Sequence, residues 1–453
     1  MKLLLTNCLE DSRAYIQSKY PPLGLGYLAS YVRQNVSGVE MRIATSDVET
    51  AIAEFRPDVV GISSVSQNFN KARELASICR DAGARVVMGG IHISSLPSCL
   101  NKHMDVGVVG EGEDTLVELL RLYDGAWSAN GLRKVAGVVY HQGNTIELSS
   151  ARTAIEPLDR LPLPARDLLK NEGNEAYMFT SRGCPYRCTF CASSRYWSHY
   201  RRFSAQYVLR EIKDLLTRYP HVRSIKMFDD LFIADRQRLK QVVELVRSEG
   251  LQKRIRFIVS ATANLIDDEV ASLLREMNVT EVGMGLESGC SKTLAYLKRG
   301  VTSVACNENA VRKLKDNGIW VTGSFIIGAP DETREDIMET LDFIRRVPLD
   351  SASVYVLVPY PNTPLWDIVI DRKLIPLDNI HDVDWSVLNV DFSVAQDQAP
   401  ILSERLSRKE LQELFRLCQK EHRRTRTKWA LKLLVRQPSK VLNYTLRRMR
   451  RLV

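Results

Sequence analysis

Two rhythms of apolar and polar positions alternate along the first 125 residues. Short β-rich runs fall at Lys2–Thr6, Val39–Ala44, Asp58–Ser63, Arg85–Met88 and Asp105–Val109. Between them apolar residues recur at the spacing of one helix face, near Leu23–Val36, Asp47–Phe55, Asn70–Ala82 and Asp114–Leu120. Strands joined through helices run parallel, because the crossover returns the chain to its starting edge. The pattern predicts a doubly wound, Rossmann-like α/β domain over residues 1–130. Ligands in such sheets sit at the carboxyl ends of the strands, where this chain carries SSVSQNF, GGIHIS and GEGEDT. These loops are small, polar and glycine-bearing, which lets a bulky ligand approach the backbone.

Residues 131–175 break the rhythm. A hairpin is predicted over Lys134–Leu148, turning at Gln142–Gly143–Asn144. Pro157, Pro162 and Pro164 then fall within eight residues, which disfavours any regular element and marks a linker. From Ala176 a new repetition begins, with strand candidates at Ala176–Ser181, Ser224–Phe228, Arg256–Ala261, Glu281–Leu286, Val321–Ile327 and Ser353–Val358. Amphipathic helical patterns separate them; Val208, Leu209, Ile212, Leu215 and Leu216 form the apolar stripe of the first. Six βα units predict a partial (β/α)6 barrel of TIM type over residues 176–375, followed by a helical region with a basic tail over 376–453. Chemistry in such barrels gathers where strands end. There the chain places three cysteines, then Asp229 and Asp230, then Ser260 and Thr262, then Glu287, then Gly328–Ala329–Pro330 and Pro359–Tyr360–Pro361.

Composition adds limits. The chain has 453 residues, enough for two or three domains, and its 45% hydrophobic and 26% charged residues are ordinary for a globular protein and give no sign of disorder. No apolar run reaches the roughly eighteen residues that span a bilayer, and MKLLLTNCLEDS turns polar too early for a signal peptide, so a cytoplasmic location is expected. The net charge of +9 belongs to one end: from Arg423 to Val453 there are eleven Lys or Arg and no acid, so the remainder sums to 9 − 11 = −2. A near-neutral body argues against nucleic acid as a partner. The tail carries Trp429, Leu431, Leu433, Leu434, Leu442 and Leu446 among its cations. It reads either as an amphipathic pair lying on anionic lipid at the inner membrane face, or as a solvated helix closing the barrel.

The loudest chemistry is SRGCPYRCTFC at Ser181–Cys191, three of the nine cysteines at C-x3-C-x2-C spacing. Crowded cysteines in a reducing compartment argue for metal ligation. A structural zinc site wants four closed ligands, and His199 lacks ligand-pair spacing, whereas a [4Fe–4S] cluster on three thiolates keeps one iron open. Cys8, Cys79, Cys99, Cys306 and Cys418 read as small buried residues. Cys290, three residues beyond Glu287, reads as a packed serine-like residue more readily than as a hydrogen-atom donor.

CPYRCTFC, including Phe190 before the last cysteine, resembles the cluster loop of the radical S-adenosylmethionine (SAM) superfamily. The resemblance implies that Cys184, Cys188 and Cys191 hold the cluster and act in catalysis, and that the open iron chelates SAM, whose reductive cleavage gives a 5′-deoxyadenosyl radical. FDDLF and GLESG resemble the second- and fourth-strand motifs of the family, implying SAM contacts from Phe190, Asp229, Asp230, Ser260, Thr262 and Glu287. Asp229 and Asp230 are also suited to capping the next helix, near Asp235. PPLGLGYLASYV and the three loops of residues 1–125 resemble the cobalamin-binding domain of one large subgroup, and DRLPLPARDLL resembles its interdomain segment. That implies a corrin lined by Ser63, Ser64, Ser66, Gly89, Gly90, Gly110, Glu111 and Gly112. The Asp-x-His-x-x-Gly segment that supplies a cobalt ligand in many cobalamin folds is absent. His92 follows Gly89–Gly90, but a loop histidine is more often a hydrogen-bonding residue; members of the subgroup bind cobalamin without a protein histidine. Tyr196, Trp197 and Tyr200 would exclude water or pack a core, and Tyr360–Trp366 would wall a substrate pocket.

The function implied is a radical SAM enzyme with a [4Fe–4S] cluster, SAM and cobalamin, methylating an unactivated carbon of a small-molecule or lipid-like substrate and drawing electrons from a flavodoxin or ferredoxin. Its alternatives are an oxidative cyclase or rearrangement enzyme on the same cofactors, a cobalamin-free radical SAM enzyme, or a cobalamin-responsive sensor.

Overall fold

Leu3, Leu4 and Leu5 keep no more than 1% of their surface exposed, and the strand they build lies second from one edge of the first, seven-stranded sheet. The computed structural model describes residues 1–8, 20–171, 173–389, 392 and 398–436, which form two compact units. One comprises residues 1–255 with 358–400; the other comprises 256–357 with residues from 401 onward.

In the first unit β1 (Lys2–Asn7) pairs in parallel with both β2 (Glu40–Ala44) and β3 (Val59–Ser63), and β4 (Arg85–Gly89) and β5 (Val106–Val108) follow in parallel. β1, β3, β4 and β5 are buried on both faces, which is why they read as continuous apolar runs, whereas the edge strand β2 is largely open. The order β2-β1-β3-β4-β5 puts β2 and β3 on opposite sides of β1, the kind of strand-order reversal beside which such sheets leave a ligand crevice. The predicted hairpin is present as β6 (Val138–Gln142) and β7 (Thr145–Leu148), but it does not stand apart as a linker. It adds to the sheet, β6 lying antiparallel to β5. Val138, Val139 and Tyr140 have an apolar edge available there, and burying them on it outweighs solvation.

The proline-rich stretch lies against the helix Leu23–Asn35. Ala165 donates its amide to Gly26 O at 2.9 Å, and a Cβ on Gly26 would meet Leu169 Cδ1 at 2.8 Å and Pro164 Cβ at 3.2 Å, so a larger residue would have to push this packing aside. Arg166 is ion-paired with fully buried Glu211, whose other oxygen takes the Tyr27 hydroxyl at 3.2 Å. These contacts hold residues 20–171 and the helix Ala205–Arg218 in one unit, so the unit boundary falls inside the stretch 176–375 rather than at its start. The unit continues with β8 (Glu175–Met178), the two-residue strands β9 (Ser181–Arg182) and β10 (Arg201–Arg202), and β11 (Ser224–Met227), which is parallel to β8. Residues 364–371 and 385–388 are helical, and Trp385 is fully buried against His92 and Trp366.

The second unit holds β12 (Arg256–Ala261), β13 (Val279–Glu287), β14 (Trp320–Ile327) and β15 (Ser351–Val356), all parallel and successively paired. Helices intervene at Asp268–Glu276, Ser291–Lys298, Val304–Asp316 and Arg334–Arg346. A reciprocal capping box of Thr333 and Asp336 starts the last of these. The predicted βα repetition is therefore observed, with two of its strands in the first unit and four in the second. Helix Arg408–Arg436 packs on β15, and Arg345 pairs with Glu421 at 3.1 Å. The predicted lipid-facing side chains of Trp429, Leu431, Leu433, Leu434, Leu442 and Leu446 lie outside the described part. Among the described residues no helix is long and apolar enough to cross a membrane.

Candidate functional site

A cavity of about 540 Å³ opens at the carboxyl ends of the first sheet, entirely within the first unit. Asn7 and Cys8 after β1, Ser63 and Ser64 after β3, Gly89 and Gly90 after β4 and Gly110–Glu113 after β5 form one side, with the helix start Pro21–Leu28. Its glycines are placed for a ligand. Gly24 and Gly110 have no atom within 4 Å of where a Cβ would stand, and Gly90, at φ +97°, approaches Ser64 so closely that a Cβ would meet its carbonyl at 2.5 Å. Phe179, Arg182, Tyr196, Trp197 and Phe228 close the other side. Tyr20, Tyr177 and Phe228 form an aromatic cluster with centroids 4.9–5.1 Å apart, with the Lys226 ammonium 5.4 Å from the rings of Tyr20 and Phe228.

Of the eight residues expected on a corrin, seven line this cavity. Ser66 does not; it is buried behind the wall, its Oγ 3.1 Å from His92 Nδ1. His92 is fully buried between Phe69 and Trp385, and burial, aided by Arg73, lowers its pKa to about 3. It packs as a neutral ring off the cavity wall and is no candidate cobalt ligand. Glu111 lines the cavity with a carboxylate already occupied by Arg182, Arg201 and the Ile155 amide. Burial opposes its charge, but the two guanidiniums outweigh burial and hold its pKa below the usual range.

The three clustered cysteines sit on a loop whose base is β9 paired antiparallel with β10. All three are partly open, and none is in a disulfide. The Ser194 amide points at Cys191 Sγ from 3.4 Å, Cys191 N donates to Cys188 O at 3.3 Å, and Arg187 braces the loop by donating to Ser194 O and to Ser198 O. Burial pushes the Cys184 thiol up to about 11 and Cys191 upward as well, so without a metal they keep their protons. An N–H aimed at sulfur and three thiols outside any disulfide on one loop suit a bound cluster.

The paired acids divide their labour. Asp229 is buried and accepts four hydrogen bonds from Thr180 and Ser181, among them Thr180 N at 2.6 Å and Ser181 Oγ at 2.7 Å. Buried Arg238 stands 3.9 Å away and donates to Thr180 O at 2.5 Å. Asp229 thus anchors the strand end that launches the cysteine loop. Asp230 is exposed, and among the described residues it takes the Ser193 hydroxyl at 2.6 Å. The helix cap is neither of them but Asp235.

In the second unit Ser260 stands on β12, half-buried, and Thr262 Oγ1 donates to Asn264 at 3.0 Å. Glu287 ends β13 at φ +59°, where the register with β14 slips, and its carboxylate folds back over Gly285, where a Cβ would meet Oε1 at 2.3 Å. Burial raises its pKa and Lys298, 3.5 Å away, opposes the rise. Cys290 donates to Asp336 Oδ1 at 3.1 Å, the packed reading of that thiol. Trp366 of the loop Tyr360–Trp366 stacks on Trp385 and is not among the cavity residues.

The sequence pattern of the Radical SAM superfamily matches residues 178–344, and that of the B12 binding domain matches residues 12–120. A protein of Pyrococcus horikoshii named as an uncharacterized methyltransferase is 32% identical over 83% of this chain and 84% of its own length. This chain belongs to the radical SAM superfamily, in its B12-binding group. The anaerobic magnesium-protoporphyrin IX monomethyl ester cyclase of Cereibacter sphaeroides is 24% identical over 79% of this chain and 62% of its own. Among solved structures, TsrM from Kitasatospora setae, a radical SAM methyltransferase with cobalamin and a [4Fe–4S] cluster bound, shares the fold at TM-score 0.68 and 20% identity over 82% of this chain and 75% of that one. OxsB, a cobalamin-dependent SAM radical enzyme, does so at 0.69 and 19% over 99% and 75%. The cofactors of this radical SAM enzyme are a [4Fe–4S] cluster, SAM and cobalamin, and the cavity and cysteine loop fit the corrin and the cluster.

Sequence reasoning missed Arg182, Arg201, Tyr20 and the carboxylate role of Glu113. Two arginines flanking the cysteine loop and two acids in GEGE were the available signal, since buried arginines need acid partners.

Proposed function

We propose that this radical SAM enzyme is a cobalamin-dependent methyltransferase acting on an unactivated carbon of a small or lipid-like molecule. The observation that carries the reading is that one segment, Ser181–Trp197, bears the cluster cysteines and also supplies Arg182, Tyr196 and Trp197 to the wall of the cavity. When bound, the cluster supplies the electron that cleaves SAM and the corrin supplies the methyl group. The chain's own residues hold and exclude. Cys184, Cys188 and Cys191 hold the cluster, and Asp229 with Arg238 fixes the strand from which they hang. With Asp229 saturated, Asp230 is the acid left for the amino group of SAM; Phe190, Ser260, Thr262 and Glu287 are proposed for the rest of SAM on the family's motifs. Phe179, Tyr196, Trp197 and Phe228 keep water from the cavity, where a reactive carbon radical would be quenched. A flavodoxin or ferredoxin is proposed as the reductant.

The cyclase relative supports a second reading, oxidative cyclisation on the same cofactors. The protein reconstituted anaerobically with hydroxocobalamin takes up about one equivalent by its corrin absorption. Offered SAM with a trideuterated methyl group and the metabolites of its host, it yields a product heavier by CD3 in place of H. Formation of 5′-deoxyadenosine with no deuterium in any product would reverse the choice in favour of the cyclase.

A further inference from the structure

An arginine stands on each side of the cysteine loop, and neither faces solvent. Arg182 and Arg201 lie opposite each other in the β9–β10 ladder that closes the loop's base. Two buried guanidiniums side by side repel unless acids separate them. Glu111 separates them: its Oε1 takes Arg182 Nη1 at 2.5 Å and its Oε2 takes Arg201 Nη1 at 2.7 Å. Glu113 takes Arg182 Nη2 at 2.5 Å, so two charges of each sign balance. On the far shoulder of the loop the Tyr196 hydroxyl donates to Gly110 O at 2.8 Å. Trp197 lies under both arginines, 5.4 and 5.8 Å from their guanidinium carbons.

The cysteine loop is thus fastened at its entry, its exit and its shoulder to one short loop, Gly110–Glu113, and that loop walls the cavity. Apolar contacts tolerate sliding, but a buried ion pair does not, because displacement leaves a charge unpaired in a low dielectric. We infer that cluster assembly and cobalamin binding are thermodynamically linked through this lattice, with Arg182, Glu111, Glu113 and Tyr196 as positioning residues. Each cofactor orders a wall of the other's site, and the linkage is reciprocal. The inference rests on the reading that the cavity takes cobalamin and the cysteines take the cluster.

The full chain is titrated with hydroxocobalamin with its cluster reconstituted, and again as the triple variant Cys184→Ala, Cys188→Ala, Cys191→Ala. The Kd is expected to be about tenfold weaker without the cluster, and the concentration of iron chelator that removes half of the cluster at equilibrium about tenfold higher with cobalamin bound. The charge-balanced pair Arg182→Met with Glu113→Gln leaves Glu111 on Arg201 and brings both ratios close to one. Tyr196→Phe removes a single hydroxyl and brings them to an intermediate value; it carries the test alone if the pair does not fold. A purely structural lattice would lower thermal stability in these variants and leave the ratios unchanged, which overturns the inference. Equal Kd with and without cluster in the unaltered chain overturns it too. A chain that takes up no cobalamin overturns the underlying reading as well, which separates the two failures.

Discussion

Two sets of strand ends in the first unit receive ligands in opposite ways. After β1, β3, β4 and β5 the chain offers backbone and space: Gly24 and Gly110 face emptiness, and Gly90 lets two loops touch. After β8 and β11 it offers side chains held under full hydrogen bonding: Asp229 is saturated by Thr180 and Ser181, and three thiols hang from the strand it secures. A large amphipathic cofactor is bound by shape, with many weak contacts, whereas an iron cluster is bound by three strong ones. Substitutions should therefore cost much and locally on one side, and little and diffusely on the other.

The largest expected effect is at Asp229. Asp229→Asn removes the charge beside Arg238 and sets an amide against the donors of Thr180 and Ser181, costing about 3 kcal/mol of stability in urea unfolding. Asp230→Asn, at an exposed position, stays within about 0.5 kcal/mol but raises the KM for SAM. Equal stability losses in the two would erase the division between them. Next comes the open side. Gly24→Leu, whose side chain enters the cavity, weakens hydroxocobalamin binding about tenfold or more and leaves iron content and unfolding midpoint near those of the unaltered chain. Unchanged cobalamin affinity would show that the corrin does not lie against that helix start.

A further test concerns what stands behind the cavity wall. His92 has a folded pKa near 3 against an ordinary 6.5, so the unfolded chain gains a proton below pH 6.5 that the folded chain refuses. Stability from this group is constant above pH 6.5 and falls as the pH drops toward 3, by about 2 kcal/mol between pH 7 and 5. His92→Phe should lose correspondingly less over that interval in paired urea titrations, since other acid-labile groups act equally on both proteins. Parallel losses would place a charged or solvated imidazole at this position.

Much of this was legible along the chain because it is periodic or chemically rare. The strands of both βα repeats follow from apolar runs and helix stripes, and the cysteine spacing is loud at any distance from its context. GLESG was legible as a motif, but not that Gly285 is small so that Glu287 can fold back over it. Nor could spacing tell which of Asp229 and Asp230 turns inward, since a strand end can place either one there.

What the sequence determined by itself is local: which segments are strands, which loops are glycine-bearing, and that three thiols sit within eight residues of one another. Tertiary structure alone decided the rest. It laid the hairpin on β5 instead of leaving it in a linker, sent His92 behind the wall against Trp385, and brought Glu111 and Glu113 to Arg182, some seventy positions away along the chain. The reason is physical. Propensity and periodicity act over one or two turns, whereas the pairing of a buried charge depends on whatever residue the fold carries to it.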